Sequence, residues 1–206
     1  NYASIFQNWT FLRSLINTVE YALMVIPSVI IISLILALFI ENRFIRAKAF
    51  FRTAIFLPQL VPLVMCATTW IYILHPDFGV FNYFLRLLGL PVINWLGDPR
   101  VVLITIALFR IWQGVGFYVI VFIGALSSIP TYYYDAAEID GATWFKKTIY
   151  VTLPLIKPTL LFLTVMAIIW NFQLFDSIYI MTRGGPVYAS STVVWYVYQN
   201  AFEFEK

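Results

Sequence analysis

Few side chains in this sequence could do chemistry. The chain holds one cysteine, Cys66, and one histidine, His75. That is too few for a structural zinc site, which takes four ligands of those types. Cys66 sits inside an apolar run and is expected to be a small buried hydrophobe. Asp135 and Glu138 could act as acid and base, but no nucleophile–base arrangement and no second carboxylate in a cleft accompany them. No G-x-x-x-x-G-K-[ST] phosphate loop occurs, and Gly114 and Gly116 read as points of close helix approach. What stands out is polar chemistry in apolar surroundings. Arg110 and Gln113 lie in one long apolar run, and Asn171, Gln173 and Asp176 lie in another beside Phe172 and Phe175. Polar residues at membrane depth either line a path or join helices to one another. If they join helices, Arg110 is expected to pair with Asp176.

The elements that carry these residues are membrane helices. The chain is 62% hydrophobic and 11% charged, where a soluble domain is about a quarter charged. Its own polar surface cannot cover its apolar side chains, so lipid is the solvent for much of it. Four runs, at 15–40, 53–74, 101–126 and 158–180, are apolar enough to span; a spanning helix needs about 20 such residues. The alternating ten-residue runs of a membrane barrel are absent. Connections 41–52 and 127–157 hold most of the lysine and arginine, including Arg46, Lys48, Arg52, Lys146, Lys147 and Lys157. They are expected on the cytoplasmic side. Connection 75–100, with Arg86 and Arg100, and the end segment 181–206 are expected outside. Residues 187–202 read as a helix at the outer surface. Without a basic stripe interleaved with aromatics, nucleic acid is not an expected partner. Arg110 lies nine residues after Val101, about 14 Å along a helix, and Gln113 follows on the same face. Asn171 reaches a similar depth in its own run, and Gln173 and Asp176 are expected to share a face there.

The connection 127–157 is unusual. Pro130 fits a helix start, residues 133–140 are good helix formers, and Gly141 fits a helix end. A second helix is expected over 143–152, interrupted by Pro154. Two short helices joined at a glycine, held by spans on both sides, make a stiff knuckle that a partner could push.

Asp135-Ala136-Ala137, then Asp140-Gly141-Ala142, then Phe145, Leu153 and Pro154 resemble the "EAA" loop of binding-protein-dependent ABC importer permeases. The family pattern has glutamate where this chain has Asp135, one methylene shorter. Phe172 to Asp176, followed by Thr182-Arg-Gly-Gly-Pro186, resembles the carbohydrate subgroup, as do Asn82, Trp95-Leu96 and Phe50-Phe51-Arg52. The resemblance implies an all-α, polytopic transmembrane bundle of the type I importer kind. It has four spans here and about six in the intact subunit, embedded in a bacterial or archaeal cytoplasmic membrane. It implies a subunit that is not itself an enzyme and binds no cofactor, with ATP and Mg held by two cytoplasmic ATPase subunits. The further partners implied are a second permease subunit, expected to be a different chain, and an extracytoplasmic solute-binding protein. Residues 127–157 would then dock on an ATPase, Arg110, Gln113, Asn171, Gln173 and Asp176 would face the path, and Phe172 and Phe175 would offer surface to sugar rings. A passive channel without an ATPase is the alternative reading.

Overall fold

The computed structural model of the protein describes residues 5–42 and 45–203. Among them there is no β-strand; the fold is all helix and turn, as the apolar runs require. Helix α1 (Trp9–Glu41) is 33 residues long, about 50 Å at 1.5 Å per residue. It starts earlier than position 15 because Asn8 caps it, its Oδ1 accepting from Thr10 N at 2.9 Å. Helices α2 (Lys48–Leu60), α3 (Leu63–Ile73) and α4 (Val80–Leu87) follow, then α5 (Val102–Ser127). The knuckle comprises α6 (Tyr132–Ile139), α7 (Trp144–Lys147), a π-helical turn (Thr148–Thr152) and α8 (Leu153–Leu155). Helix α9 (Lys157–Phe172), α10 (Asp176–Met181), α11 (Val193–Tyr198) and a second π turn (Gln199–Glu203) complete the described chain. By length and composition α1 and α5 each suffice to cross a membrane, and broken helix pairs bring the number to as many as four.

Two expected spans are broken. The run 53–74 is α2 and α3, separated at Val61 and Pro62. Pro62 has no amide hydrogen to donate and adopts φ −52°, ψ 132°, and it biases Val61 away from the helical region. The run 158–180 is α9 and α10, separated at 173–175. No proline or glycine marks this break. Instead the Leu174 carbonyl accepts from Thr192 Oγ1 at 3.0 Å, a long-range bond in place of a helical one, and Leu174 packs into the core. Gln173 and Asp176 therefore belong to different elements and do not share a helix face.

The chain divides into two compact units. The first draws on residues 1–27, 61–113 and 168–206. Its core joins Tyr21 and Val25 of α1, Val102 and Ile106 of α5, Ile178 of α10 and Trp195 of α11. A second cluster sets Cys66 and Ala67 of α3 against Phe109 of α5 and Met181 of α10. A polar seam runs beside them. Ser14, Asn17 and Thr18, all on one face of α1, are buried. Asn17 Nδ2 donates to the carbonyls of Tyr188 and Ser191 at 2.8 and 2.9 Å. Thr18 Oγ1 accepts from Val193 N at 3.0 Å. The helix expected over 187–202 forms only from Val193 onward. Residues 183–188 turn tightly, with positive φ at Arg183, Gly184, Val187 and Tyr188, and α11 is anchored inward by Trp195, 1% exposed. The indole needs Gly184: a Cβ there would stand 2.3 Å from Trp195 Nε1.

The second unit draws on residues 28–60 and 114–167. Helices α2 and α5 touch at Gly116, where a Cβ would meet the Ile55 carbonyl oxygen at 2.5 Å and the Phe56 Cα at 2.8 Å. Both are backbone atoms and cannot rotate away. We expect Gly116→Val to destabilise this unit by about 1–3 kcal/mol, the cost typical of overpacking. A thermal melt of the purified subunit measures it, with Gly124→Ala, whose Cβ would meet nothing within 4 Å, as the neutral control. Glu41, the last residue of α1, is held by Lys48 Nζ at 3.3 Å and Arg52 Nη2 at 2.5 Å, so two cations of α2 offset an acid at an unfavourable helix end.

Candidate functional site

The knuckle is stiff for reasons that can be counted. Helix α6 ends in a full Schellman turn: Gly141 N donates to the Glu138 carbonyl at 3.0 Å and Ala142 N to the Ala137 carbonyl at 2.9 Å. Gly141 sits at φ +73°, the left-handed conformation that disfavours a side chain. Thr143 then caps α7, its hydroxyl accepting from Lys146 N. Two side-chain contacts close the angle between the helices. Lys147 Nζ binds Glu138 Oε1 at 2.6 Å, and the Tyr134 and Thr152 hydroxyls lie 3.1 Å apart.

The second helix of the knuckle, expected over 143–152, runs from Trp144 to Leu155 without a gap, and Pro154 does not interrupt it. Pro154 cannot donate to the carbonyl one turn back. The chain widens into a π turn instead, with Leu153 N bonding to the Thr148 carbonyl, and Pro154 sits in the first turn of α8, where no amide is needed. The change of direction, 71°, falls between α8 and α9. Of the residues singled out from the sequence, Asp135, Ala136, Asp140, Gly141, Phe145 and Pro154 are exposed, while Ala137, Ala142 and Leu153 are half-buried. Three large apolar side chains of the knuckle are exposed: Ile139 at 88%, Phe145 at 65% and Trp144 at 59%. A cleft of about 780 Å³ is lined by Glu41, Leu126, Tyr134, Glu138, Trp144 and Lys147 among others.

The polar band within the apolar runs is only partly assembled. Arg110 Nη1 donates to Gln113 Oε1 at 3.1 Å, so the pair expected on one face of α5 meets. Arg110 Nε is buried without a hydrogen-bond partner among the described residues. The expected pairing of Arg110 with Asp176 is not made: no ion pair joins them among the described residues, and Asp176 is exposed at the start of α10. Gln113 and Asn171 are buried, at 6% and 7% exposure, whereas Gln173 and Phe172 are exposed. Phe175 packs in an aromatic cluster, 4.9 Å from Tyr198 and 5.5 Å from Tyr179.

Sequence reasoning missed the Glu138–Lys147 pair, the Tyr134–Thr152 contact and the Asn17 seam. The last had a readable signal: Ser14, Asn17 and Thr18 recur at helical spacing on an apolar helix, a pattern that joins helices in membranes.

Two long apolar helices, with up to two further crossings made of bent helix pairs, define a multi-pass membrane protein. The chain belongs to the family of binding-protein-dependent transport system inner membrane components, whose pattern matches residues 3–202. It is 32% identical over 205 residues to a probable ABC transporter permease protein of Bacillus subtilis (strain 168), covering 98% of this chain and 70% of that protein. It is 31% identical to a trehalose/maltose transport system permease protein of Thermococcus litoralis, covering 94% of this chain and 65% of that one. It is 33% identical to a lactose transport system permease protein of Rhizobium radiobacter, covering 99% and 70%. Among solved structures it resembles a chain of a bacterial alginate ABC transporter in complex with an alginate pentasaccharide-bound periplasmic protein. The TM-score is 0.88 at 25% identity, over 99% of this chain and 72% of that chain. The chain thus spans about two thirds of the length of the trehalose/maltose relative.

Proposed function

We propose that this chain is the permease subunit of an ATP-driven, binding-protein-dependent importer of a sugar or oligosaccharide, and that the knuckle is where ATPase motion enters it. The observation that carries the reading is the knuckle itself. A solvated connector would not be capped, cross-braced and clad outside in Ile139, Trp144 and Phe145. An apolar patch on a rigid support suits a protein partner. A partner that closes on ATP and grips this patch would move the spans as rigid bodies, the kind of rocking by which transporters expose one site to alternate sides. Hydrolysis belongs to that partner, since this chain has no phosphate-binding loop.

The breaks at Val61–Pro62 and at 173–175 support a solute path in the first unit. Non-helical backbone at membrane depth is tolerated only where protein buries it or where it lines a watery cavity. Buried Gln113 and Asn171 belong to that path, as does Arg110, whose Nε has no hydrogen-bond partner among the described residues, with Phe172 available to an apolar sugar face. The sugar class rests on the trehalose/maltose and lactose relatives and on the alginate transporter. The solute receptor rests on the periplasmic protein of that solved complex, and the second permease subunit on family resemblance.

Two variants separate a path from helix glue. Gln113→Leu and Asn171→Leu should leave expression and assembly intact while cutting solute uptake at least tenfold, a loss of about 1.4 kcal/mol or more. Normal uptake by both would remove these residues from the path. The function is tested by purifying the full-length subunit with the ATPases of its own cell. Retention of an ATPase by the wild type but not by Asp135→Lys supports the importer. A wild-type subunit that retains none, yet passes solute, is a channel.

A further inference from the structure

Helix α4 is built inside out for a helix in water. Its two polar residues, Asn82 and Arg86, lie one turn apart, and both turn back onto loop backbone. Asn82 is fully buried. Its Nδ2 donates to the Ile93 and His75 carbonyls at 2.9 and 3.3 Å, and its Oδ1 accepts from Ile93 N at 3.1 Å. Arg86 Nη2 donates to the carbonyls of Pro76 and Asp77, each at 2.7 Å. What the helix shows outward is Val80, Phe81, Tyr83, Phe84 and Leu87, with Leu88 next at 74% exposure. A surface helix of a soluble protein does the reverse. The helix's one charged side chain, Arg86, is exposed at the edge of this face, as on a helix that lies at a membrane surface.

The apolar surface does not stop at α4. Helix α3, which precedes it, leaves Val64, Met65 and Tyr72 exposed. Between the two helices lies a pocket of about 490 Å³, walled by Met65, Cys66, Trp70, Val80, Phe81 and Trp112 among others. The one hydroxyl in its lining, Thr69 Oγ1, already donates to the Met65 carbonyl at 2.9 Å. A guest therefore meets rings and aliphatic carbon.

We propose that α4 lies in the outer leaflet of the bilayer and that this pocket takes an acyl chain of an outer-leaflet phospholipid. The lipid surface of the crossing α3 thus continues over the connection, and α4 becomes a float that fixes the outer end of the broken span. The choice of leaflet rests on the permease reading; the contact with hydrocarbon does not.

The test uses the full-length subunit in its assembled complex, in phosphatidylcholine nanodiscs, with Cys66→Ala as background. Spin labels at Phe84→Cys and Leu87→Cys should collide with oxygen more than with a water-soluble nickel chelate, and a label at Asp77→Cys should do the opposite. Nanodiscs of dibrominated phosphatidylcholine should quench tryptophan emission. Trp70→Phe with Trp112→Phe should remove part of the quenched component. Nickel access at 84 and 87 equal to that at 77 overturns the inference, as does shielding of both labels from both probes, the signature of a protein partner. Unchanged quenching in the double variant removes the acyl chain from the pocket. In intact cells an impermeant maleimide should reach Asp77→Cys from outside. Reaction only from the cytoplasmic side would sink the permease topology while leaving the hydrocarbon contact to the spin labels.

Discussion

Gly141→Val is expected to weaken the grip of the subunit on its ATPase about tenfold, whereas Gly141→Asn stays near wild type. Gly141 holds φ +73°, and a branched side chain in that region costs roughly 1–2 kcal/mol. Asparagine adopts the left-handed conformation more readily and also ends helices. The space around the glycine is open, with nothing within 4 Å of where a Cβ would be. The loss is therefore a backbone effect, and side-chain size alone cannot produce it. With valine the Schellman turn opens, α7 swings away from α6, and the Glu138–Lys147 and Tyr134–Thr152 contacts lengthen. Since 1.4 kcal/mol corresponds to a tenfold change in affinity, a pull-down titration with purified ATPase reads it directly. Equal binding by all three proteins would mean that the shape of the knuckle does not matter to the partner.

Asn17→Leu should be the most damaging change within the first unit. Asn17 is fully buried and supplies both hydrogen bonds that tie α1 to the Tyr188 and Ser191 carbonyls. A buried acceptor left without its donor costs about 1–3 kcal/mol in soluble proteins, and interhelical bonds within membranes average nearer 0.6 kcal/mol. The expected loss is about 1–4 kcal/mol, together with loosening of the tight turns at 183–188 that carry the Gly-Gly-Pro element. Cys66, buried in the same unit, reports unfolding through a thiol-sensitive dye on heating. Ile16→Ala, at a position 47% exposed, is the control expected to melt with wild type. If Asn17→Leu also melted there, the seam would not be holding the turn.

Long apolar runs were the most legible part of this molecule, because a helix that must bury every backbone polar group in lipid leaves an unbroken run in the sequence. Helices α1 and α5 follow such runs closely. The break at Pro62 had its cause in plain view, and only its consequence, two helices in place of one span, was missed. The break at 173–175 had no local sign. It depends on a hydroxyl at Thr192, eighteen residues on, and no window along the chain contains both partners. The π turn at Thr148–Thr152 is similar: Pro154 signals a disturbance, but whether the helix stops or widens depends on what holds it on either side. Among the polar residues, Arg110 and Gln113 met because one helix fixes their spacing. Gln173 and Asp176 did not share a face because their helix did not continue.

This subunit should move solute only when an ATPase drives it through the knuckle. The most direct measurement is uptake of labelled oligosaccharide by proteoliposomes that hold the assembled complex, with the solute-binding protein outside and ATP inside. Wild type should accumulate solute only with ATP and the binding protein both present. Asp135→Lys, which reverses a charge on the exposed face of α6, should abolish uptake while the subunit stays folded. Downhill leakage without ATP, or full uptake by Asp135→Lys, would contradict the account.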